Sequence, residues 1–312
     1  MQALFDIVLP VFAIVASGYL CGYKNLLGPE SSEALNAFVY WVALPALLFN
    51  AMANVDLAQV YNLPFMAGFT LALAVTWALT GLLGRHVFRL SAAESALHGL
   101  NSAYPNSGFM GIPLAIAAFG DEAALPAIVA TVISVLSVAL AVIPIEIARQ
   151  QKSDVLKIVG RVLGALVRNP MIIAPCAGLL WAWSGWELPI FVETYTGILG
   201  AAAGPCALFS IGLFLVGKPL TEGSMEVVSM TLAKLVLHPL LTAVAVLLLF
   251  PTDPLWAMVA ILSAALPIGS GPFVLAQAQG IYVRRTSTVM LVTTLLSVVT
   301  ISGFFLFIPG LS

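Results

Sequence analysis

Residues 100–114 read LNSAYPNSGFMGIPL and place two asparagines, two prolines and two glycines inside an otherwise apolar run. Proline removes a helical N–H group and clashes with the preceding turn, and glycine lets the chain adopt non-helical angles. Backbone interrupted in this way is tolerated at membrane depth only where it is buried in protein or lines a polar cavity. The stretch therefore predicts a broken membrane helix with a functional site beside the break.

The composition of the whole chain indicates a membrane protein. Of its 312 residues, 61% are hydrophobic and 8% are charged, and the mean hydropathy is +1.06, which leaves too little polar surface for a soluble protein. Apolar runs long enough to cross a bilayer, about 17–25 residues, fall near 3–23, 34–54, 63–84, 95–119, 123–147, 170–186, 194–216, 226–250, 255–279 and 286–308. We predict an all-α polytopic membrane protein with ten transmembrane helices.

The basic residues predict the orientation. If the N-terminus is outside, eleven of the twelve Lys and Arg residues fall in cytoplasmic loops, and the exception is Lys234 in the eighth span. The eleven are Lys24, Arg85, Arg89, Arg149, Lys152, Lys157, Arg161, Arg168, Lys218, Arg284 and Arg285. By the positive-inside rule, both termini lie outside the cytoplasm.

The chain also repeats itself at an offset of 160 residues. The matching segments are Pro10 with Pro170, LPALLF (44–49) with GPCALF (204–209), and LAIAAFG (114–120) with VLAQAQG (274–280). We interpret 1–148 and 170–312 as two five-helix repeats, joined by a basic, amphipathic cytoplasmic segment at 149–169. Because five is odd, the second repeat enters the membrane from the opposite side, as in many secondary transporters.

The ninth span is interrupted like the fourth, by SAALPIGSGP at residues 263–272. Pro105 and Pro267 occupy corresponding places in the two repeats, two residues off the strict offset. Two broken helices from inverted repeats are expected to cross near the bilayer midplane, with half-helix ends directed at one point. The alternative is a pair of simple proline kinks, which membrane helices tolerate.

The polar side chains beside the breaks suit a carboxylate ligand. They can donate as well as accept hydrogen bonds, neither break contains an Asp or Glu, and half-helix N-termini favour anions. Asn106 has an alternative role as an interhelical hydrogen-bonding residue. The predicted substrate-binding residues are Asn101, Tyr104, Asn106, Ser107, Ser270 and Gln277.

Three ionisable residues within the spans are candidates for a charge or proton role. His98 shares a helical face with Asn101 and could carry a proton, or it could be a structural histidine near the cytoplasmic interface. Lys234 and His238 lie one turn apart; the lysine could attract an anion or pair with a carboxylate, or its side chain could snorkel to the interface.

The sequence contains no cofactor motif and no metal-ligand spacing. A membrane-embedded enzyme would need a nucleophile with a base, or paired carboxylates, at one depth. Since the ionisable residues within the spans form no such set, we predict no catalytic residues, no metal and no cofactor, and we predict that the protein is not an enzyme.

The N…PNSGFMGIPL segment, LPALLF in the second span and the ten-span inverted repeat resemble the auxin efflux carrier family. That family includes plant PIN carriers and bacterial carriers of malonate and other carboxylates. The resemblance covers essentially the whole chain and identifies it as a bacterial member. It implies an inner (cytoplasmic) membrane location, elevator-type motion of a domain that carries the crossover, and a homodimer.

The resemblance also assigns roles to residues at the breaks. It implies that Pro105 and Pro267 are crossover prolines and that Asn101 and Asn106 are polar ligands. Bile acid symporters of the same superfamily hold sodium partly with a carboxylate near the second crossover. This chain has Gln277 and no acid there, which puts sodium coupling in doubt.

We therefore expect a secondary transporter of a small organic anion, such as malonate, that binds at the crossover of spans four and nine. The alternative is a sodium- or proton-coupled symporter of larger amphipathic anions. The expected partners are the anion and the lipid bilayer, without nucleic acid.

Overall fold

A computed structural model describes residues 9–149, 155–217 and 225–307 of the protein, and the regular secondary structure of these ranges is helical. Up to residue 149 the α-helices are α1 Leu9–Tyr23, α2 Pro29–Phe38, α3 Leu44–Ala53, α4 Leu57–Val60, α5 Leu63–His86, α6 Ala92–Ala103, α7 Ile112–Phe119 and α8 Ala124–Arg149. After it they are α9 Val155–Leu166, α10 Pro170–Ser184, α11 Ile190–Ala201, α12 Ala203–Leu215, α13 Met225–Leu232, α14 His238–Val244, α15 Pro254–Ala265, α16 Gly271–Gln279 and α17 Val283–Phe307.

Short helical turns of other types link several of these helices. π-Helical turns span Val39–Ala43, Ser107–Gly111, Ala233–Leu237 and Ala245–Leu249, and a 3₁₀ turn spans Asp121–Ala123. π-Helical turns inside α-helices frequently occur at functional sites.

The described part of the chain contains helices that are long and apolar enough to cross a membrane. Six continuous ones are Glu30–Ala53, Leu63–His86, Asp121–Ala148, Ile190–Leu215, Met225–Leu249 and Val283–Leu306. Four shorter apolar helices are Leu9–Tyr23, Ser107–Phe119, Pro170–Ser184 and Pro254–Ala265. Large apolar side chains such as Leu82, Ile198 and Leu248 are exposed on these helices, as expected for surfaces that face lipid. The prediction of an all-α polytopic membrane protein is confirmed.

Some sequence predictions fall on other parts of the chain. Lys152 and Lys218 lie outside the described residues, as do residues 1–8 and 308–312. Within the predicted connecting segment, the structure has a helix, α9, that ends at Leu166. The second span was predicted to begin near residue 34, but its first helix, α2, begins at Pro29. Proline is favoured at the first position of a helix, because the N–H group that it lacks would have no intrahelical acceptor there.

Close helix contacts join the beginning of the chain to its second half. α1 packs along α12, and α3 packs along α10. Glycine permits the first contact, because a Cβ atom on Gly18 would lie 2.1 Å from the carbonyl oxygen of Phe209. The helices that carry the predicted breaks, α6 and α15, pack elsewhere in the molecule, against α5, α8 and α17.

Candidate functional site

The two interrupted segments touch each other directly. Pro105 and Ile268 form an isolated antiparallel bridge. The backbone N–H of Asn106 donates to the carbonyl oxygen of Pro267, and the N···O distance is 2.8 Å. The structure therefore brings the predicted crossover prolines to one place, joined by main-chain hydrogen bonding.

Proline chemistry explains where each helix ends. α6 ends at Ala103 and α15 at Ala265, and the residue that precedes each proline is extended. Tyr104 has a ψ angle of 113° and Leu266 has one of 156°. The proline ring disfavours helical angles for the residue before it, so both helices stop at the same distance from their proline.

Glycine allows the two breaks to approach so closely. A Cβ atom on Gly269 would lie 2.6 Å from Cε1 of Tyr104 and 3.1 Å from the Cα atom of Asn106. A Cβ atom on Gly271 would lie 2.8 Å from Cζ of the same tyrosine. Tyr104, predicted to bind substrate, thus packs its ring on both glycines and forms a wall of the crossing.

Two helical segments begin beside the bridged pair. The π-helical turn that leads into α7 begins at Ser107, and α16 begins at Gly271. N–H groups in a first turn have no intrahelical acceptor, and neither Asn106 nor Ser270 caps its helix with its side chain. These N–H groups, at the positive ends of two helix dipoles, are thus available to an anion.

The predicted ligands at the crossing differ in accessibility. Asn106 is partly exposed, Ser107 is buried and Ser270 is exposed. Gln277 is also exposed, but it lies on α16 seven residues after Ser270, which is about 10 Å along a helix. The structure therefore groups Asn106, Ser107 and Ser270 around the breaks and leaves Gln277 apart from them.

Asn101 is fully buried and faces α17. Its Nδ2 donates to Oγ1 of Thr286 at 2.9 Å, while its Oδ1 is buried without a hydrogen-bond partner among the described residues. The second break is tied to the same helix, because the N–H of Ile268 donates to Oγ1 of Thr293 at 3.2 Å. α17 thus holds both broken segments.

Sequence reasoning missed both threonines, although a signal for them was present. Thr286 and Thr293 lie seven residues apart, so they share one helical face. A polar stripe along an otherwise apolar span faces other protein groups rather than lipid. That stripe could have marked α17 as the partner of the breaks.

His98 belongs to a buried polar chain that sequence reasoning also missed. Its Nδ1 lies 3.0 Å from the hydroxyl of Tyr282, and that hydroxyl donates to Oε2 of Glu226 at 2.8 Å. Arg285 pairs with the same oxygen at 2.6 Å. Because the hydroxyl proton goes to Glu226, the His98 nitrogen donates to the tyrosine oxygen. Nε2 of His98 is buried without a partner in the described ranges.

Burial, reinforced by the hydrogen bond to Glu226, raises the pKa of the Tyr282 hydroxyl. The tyrosine is therefore a proton donor at any ordinary pH. It lies between α16 and α17, and its φ angle of 58° is left-handed, which is uncommon for a bulky residue and reflects a position fixed by its surroundings.

Lys234 and His238 are both fully buried on consecutive turns. Nζ of Lys234 lies 3.2 Å from Nδ1 of His238 and donates to the carbonyl oxygen of Ala264. Ala264 is in the last turn of α15, three residues before Pro267. The structure thus directs the lysine toward the second break. No group of three or more His, Cys, Asp or Glu in the described ranges could hold a metal ion.

Comparison with known proteins places the whole chain in one family. The family described as "Membrane transport protein" matches residues 3–305. The chain is 33% identical to the "Putative malonate transporter" of Rhizobium meliloti (strain 1021), over 97% of this chain and 95% of the relative.

Two eukaryotic relatives extend the comparison. "Auxin efflux carrier component 8" of Arabidopsis thaliana is 23% identical, over 95% of each chain. "Lysosomal cholesterol signaling protein" of Mus musculus is 26% identical over 94% of this chain, which corresponds to 36% of the mouse protein. The chain therefore belongs to the membrane transport protein family, which includes the auxin efflux carriers, and it is a transporter rather than an enzyme.

Proposed function

We propose that the protein is a secondary transporter of a small organic anion, a carboxylate such as malonate, which binds where the two broken helices cross. The observation that carries this proposal is the main-chain contact between Asn106 and Pro267. It sets the starts of two helical segments side by side, and irregular backbone in a membrane protein is characteristic of transporter binding sites. The name of the rhizobial relative supports malonate as the first compound to test.

The chemistry of the crossing favours an anion. Each helix N-terminus contributes about 0.3–1 kcal/mol at exposed positions and up to about 2 kcal/mol where partly buried. We assign carboxylate binding to Asn106, Ser107 and Ser270 together with the free first-turn N–H groups. Tyr104 then limits the space beside the anion, and Asn101 positions α6 through Thr286.

We further propose ten spans in two inverted repeats, at 1–148 and 170–312. Several contacts support this arrangement. When 160 is added to their first residues, α1, α2, α5, α6, α7 and α8 begin within two residues of α10, α11, α13, α15, α16 and α17, respectively. The contact of α1 with α12 corresponds to that of α10 with α3.

One pair of contacts follows the offset residue by residue. Gly18 lies against the carbonyl oxygen of Phe209, and Gly178 lies against that of Phe49. Gly178 is Gly18 plus 160, and Phe209 is Phe49 plus 160. Equivalent helices therefore meet through equivalent atoms, which favours a common origin for the two repeats and the alternation of access that inverted repeats provide.

The mechanism we propose is an elevator-type movement of the helices that carry the crossing, relative to the body formed by α1, α3, α10 and α12. Both termini lie outside the cytoplasm of a bacterial inner membrane in this proposal, since the basic residues cluster in the opposite loops. A homodimer would anchor the static body.

Uptake of labelled malonate into proteoliposomes tests the proposal. We expect saturable uptake by the wild type and loss of most of it in Asn106→Ala, because the amide contributes directly to anion binding. Asn54→Ala is the matched control, since Asn54 is exposed at the end of α3 and, among the described residues, its side chain bonds to Asn50 one turn earlier. A folded wild type that takes up no carboxylate from a panel of mono- and dicarboxylates would contradict the proposed function.

A further inference from the structure

Three buried polar atoms along α6 have no hydrogen-bond partner in the described part of the chain. They are Oγ of Ser95, Nε2 of His98 and Oδ1 of Asn101. Because these residues are three positions apart, they lie along one side of the helix from its first turn to its last, over about 9 Å. Oγ1 of Thr231 is a fourth such atom, on α13, which packs against α6. Buried polar groups without a protein partner are generally satisfied by internal water, so this side of α6 indicates a hydrated path that ends beside the first break.

His98, in the middle of this path, is also connected to the protein surface. Its Nδ1 lies 3.0 Å from the hydroxyl of Tyr282, and that hydroxyl lies 2.8 Å from Oε2 of Glu226. Glu226 pairs with Arg285, whose side chain is 40% exposed. In the proposed orientation this end of the molecule faces the cytoplasm, because it carries the basic residues. A continuous line of hydrogen bonds thus joins the buried imidazole to the cytoplasmic surface.

The order of these hydrogen bonds determines where the protons lie. The ion pair with Arg285 keeps Glu226 a carboxylate, which only accepts, so the Tyr282 hydroxyl donates to it and Nδ1 of His98 donates to the tyrosine oxygen. A second proton on Nε2 would create a buried charge without an acceptor, which is costly. The imidazole is therefore neutral, with a free lone pair on Nε2. It can accept a proton on one nitrogen and release one from the other.

The other charged groups around the imidazole come from the helices packed against α6. Glu94, in the first turn of α6, acts electrostatically on Tyr282. α5 presents Gly84, whose added Cβ atom would lie 3.2 Å from Cγ of the imidazole, and the next residue, Arg85, donates to a backbone carbonyl. Lys234, on the π-helical turn that also packs against α6, is directed at the end of α15 instead. Within the described ranges, the bonded path from the imidazole to a carboxylate therefore runs through Tyr282.

We infer that His98, Tyr282 and Glu226 form a proton relay between the crossing and the cytoplasm, and that the anion is carried together with a proton. The proton enters with the anion from the outer solution and reaches Nε2 of His98 through the hydrated path. An N–H bond forms at Nε2, the N–H bond at Nδ1 breaks, and its proton passes to the oxygen of Tyr282. The proton of the tyrosine hydroxyl passes to Oε2 of Glu226 and from there to cytoplasmic water. Rotation of the imidazole and of the hydroxyl then restores the starting arrangement. This inference rests on the proposed function and specifies its coupling.

Two assays on proteoliposomes separate proton coupling from anion binding. The first measures accumulation of labelled malonate at constant external pH, with the interior either at the same pH or about one unit more alkaline. Valinomycin and equal potassium on both sides clamp the membrane potential. The second measures counterflow at equal pH, in which unlabelled malonate inside exchanges for labelled malonate outside without net release of protons.

Two variants interrupt the relay at different points. His98→Asn retains an amide that can donate to Tyr282 but cannot take up a proton. Tyr282→Phe removes the hydroxyl that connects His98 to Glu226. His86→Asn is the matched control, because His86 is exposed at the end of α5.

We expect the pH gradient to raise malonate accumulation by the wild type and by His86→Asn up to about tenfold, the ratio of the two proton concentrations. His98→Asn and Tyr282→Phe are expected to accumulate the same amount of malonate with and without the gradient. Both should retain counterflow, because exchange needs the binding site and its movement but not the relay. Size-exclusion profiles and thermal melts of the purified variants verify that each is folded.

Three results would overturn the inference. Wild-type accumulation that ignores the pH gradient would show that no proton is coupled. A gradient response in His98→Asn equal to that of the wild type would show that the proton takes another route, such as the malonate itself. Loss of both accumulation and counterflow in the two folded variants would assign His98 and Tyr282 a positioning role. Absence of accumulation and counterflow in the wild type, for any carboxylate of the panel, would instead contradict the proposed function.

Discussion

Asn101 on α6 donates its side-chain amide to the hydroxyl of Thr286 on α17, at a distance of 2.9 Å between two fully buried groups. The residues are 185 positions apart in the chain. This contact joins the last turn of the first broken helix to a helix in the second half of the chain. It therefore contributes to both the stability of the fold and the position of the crossing.

Thr286→Val should destabilise the protein by about 1–3 kcal/mol, because the buried Asn101 amide then loses its acceptor. Thermal unfolding in detergent measures the change. Thr288→Val is the matched control, since within the described part of the chain the Thr288 hydroxyl bonds only to the carbonyl oxygen of Arg284 on its own helix. Equal stability of the two variants would contradict the importance of the interhelical bond.

Gly269→Ala should lower both stability and malonate uptake. The added Cβ atom would lie 2.6 Å from the ring of Tyr104 and 3.0 Å from the carbonyl oxygen of Pro105, so the two breaks must separate. Overpacking of this kind typically costs about 1–3 kcal/mol. Gly303→Ala serves as the control, because, its own helix turn aside, the described residues place no heavy atom within 4 Å of the added Cβ atom.

Gly18→Ala and Gly178→Ala should destabilise the protein to a similar extent, since each added Cβ atom meets a main-chain carbonyl oxygen, of Phe209 or of Phe49. Neither oxygen can move without its helix. Thermal melts of both variants test the correspondence of the two repeats. A large effect in one glycine and none in the other would argue against equivalent packing.

Tyr282→Phe should destabilise the protein by about 1–3 kcal/mol at neutral pH, because the buried Nδ1 of His98 loses its partner. The ion pair of Glu226 with Arg285 contributes little to this cost, because the arginine side chain is 40% exposed. Tyr23→Phe is the control, since Tyr23 is exposed and its ring stacks on that of Tyr19.

The same variant should alter the alkaline stability. The pKa of Tyr282 is raised on folding by burial and by Glu226, so the stabilisation is complete below the unfolded value of about 10 and declines above it. When the pH is raised from neutral to above about 10, the free energy of unfolding should therefore fall less for Tyr282→Phe than for the wild type. Parallel curves for the two proteins would refute this assignment.

The breaks themselves could be predicted from the sequence, because proline and glycine act on their immediate neighbours. Pro105 and Pro267 make Tyr104 and Leu266 extended whatever surrounds them. The partners of the polar side chains could not be predicted in the same way. Whether Asn101 faces the crossing or α17 depends on the rotation of α6 within the bundle, which long-range packing sets.

The orientation of the Lys234 side chain could not be predicted from the sequence either. Sequence spacing placed it near His238, and both the interface and the protein interior were open to its long side chain. The structure turns it inward because the last turn of α15 presents the carbonyl oxygen of Ala264 beside it. Gln277, chosen for its position after the second break, is instead exposed on α16.

The crossing is fastened by peptide groups, through the bond from Asn106 to Pro267 and the bridge between Pro105 and Ile268. A main-chain hydrogen bond does not involve the side chains of the residues that form it, so this contact tolerates exchange of the polar side chains beside it, whereas an added Cβ atom at Gly269 would separate the two breaks. The geometry of the crossing therefore depends on main-chain groups, and the selectivity of the proposed site depends on side chains. If the proposed site is correct, substitutions at Ser107, Ser270 or the Asn106 side chain should change which anion is transported while the main-chain contact stays intact, so specificity could be altered here without redesigning the fold.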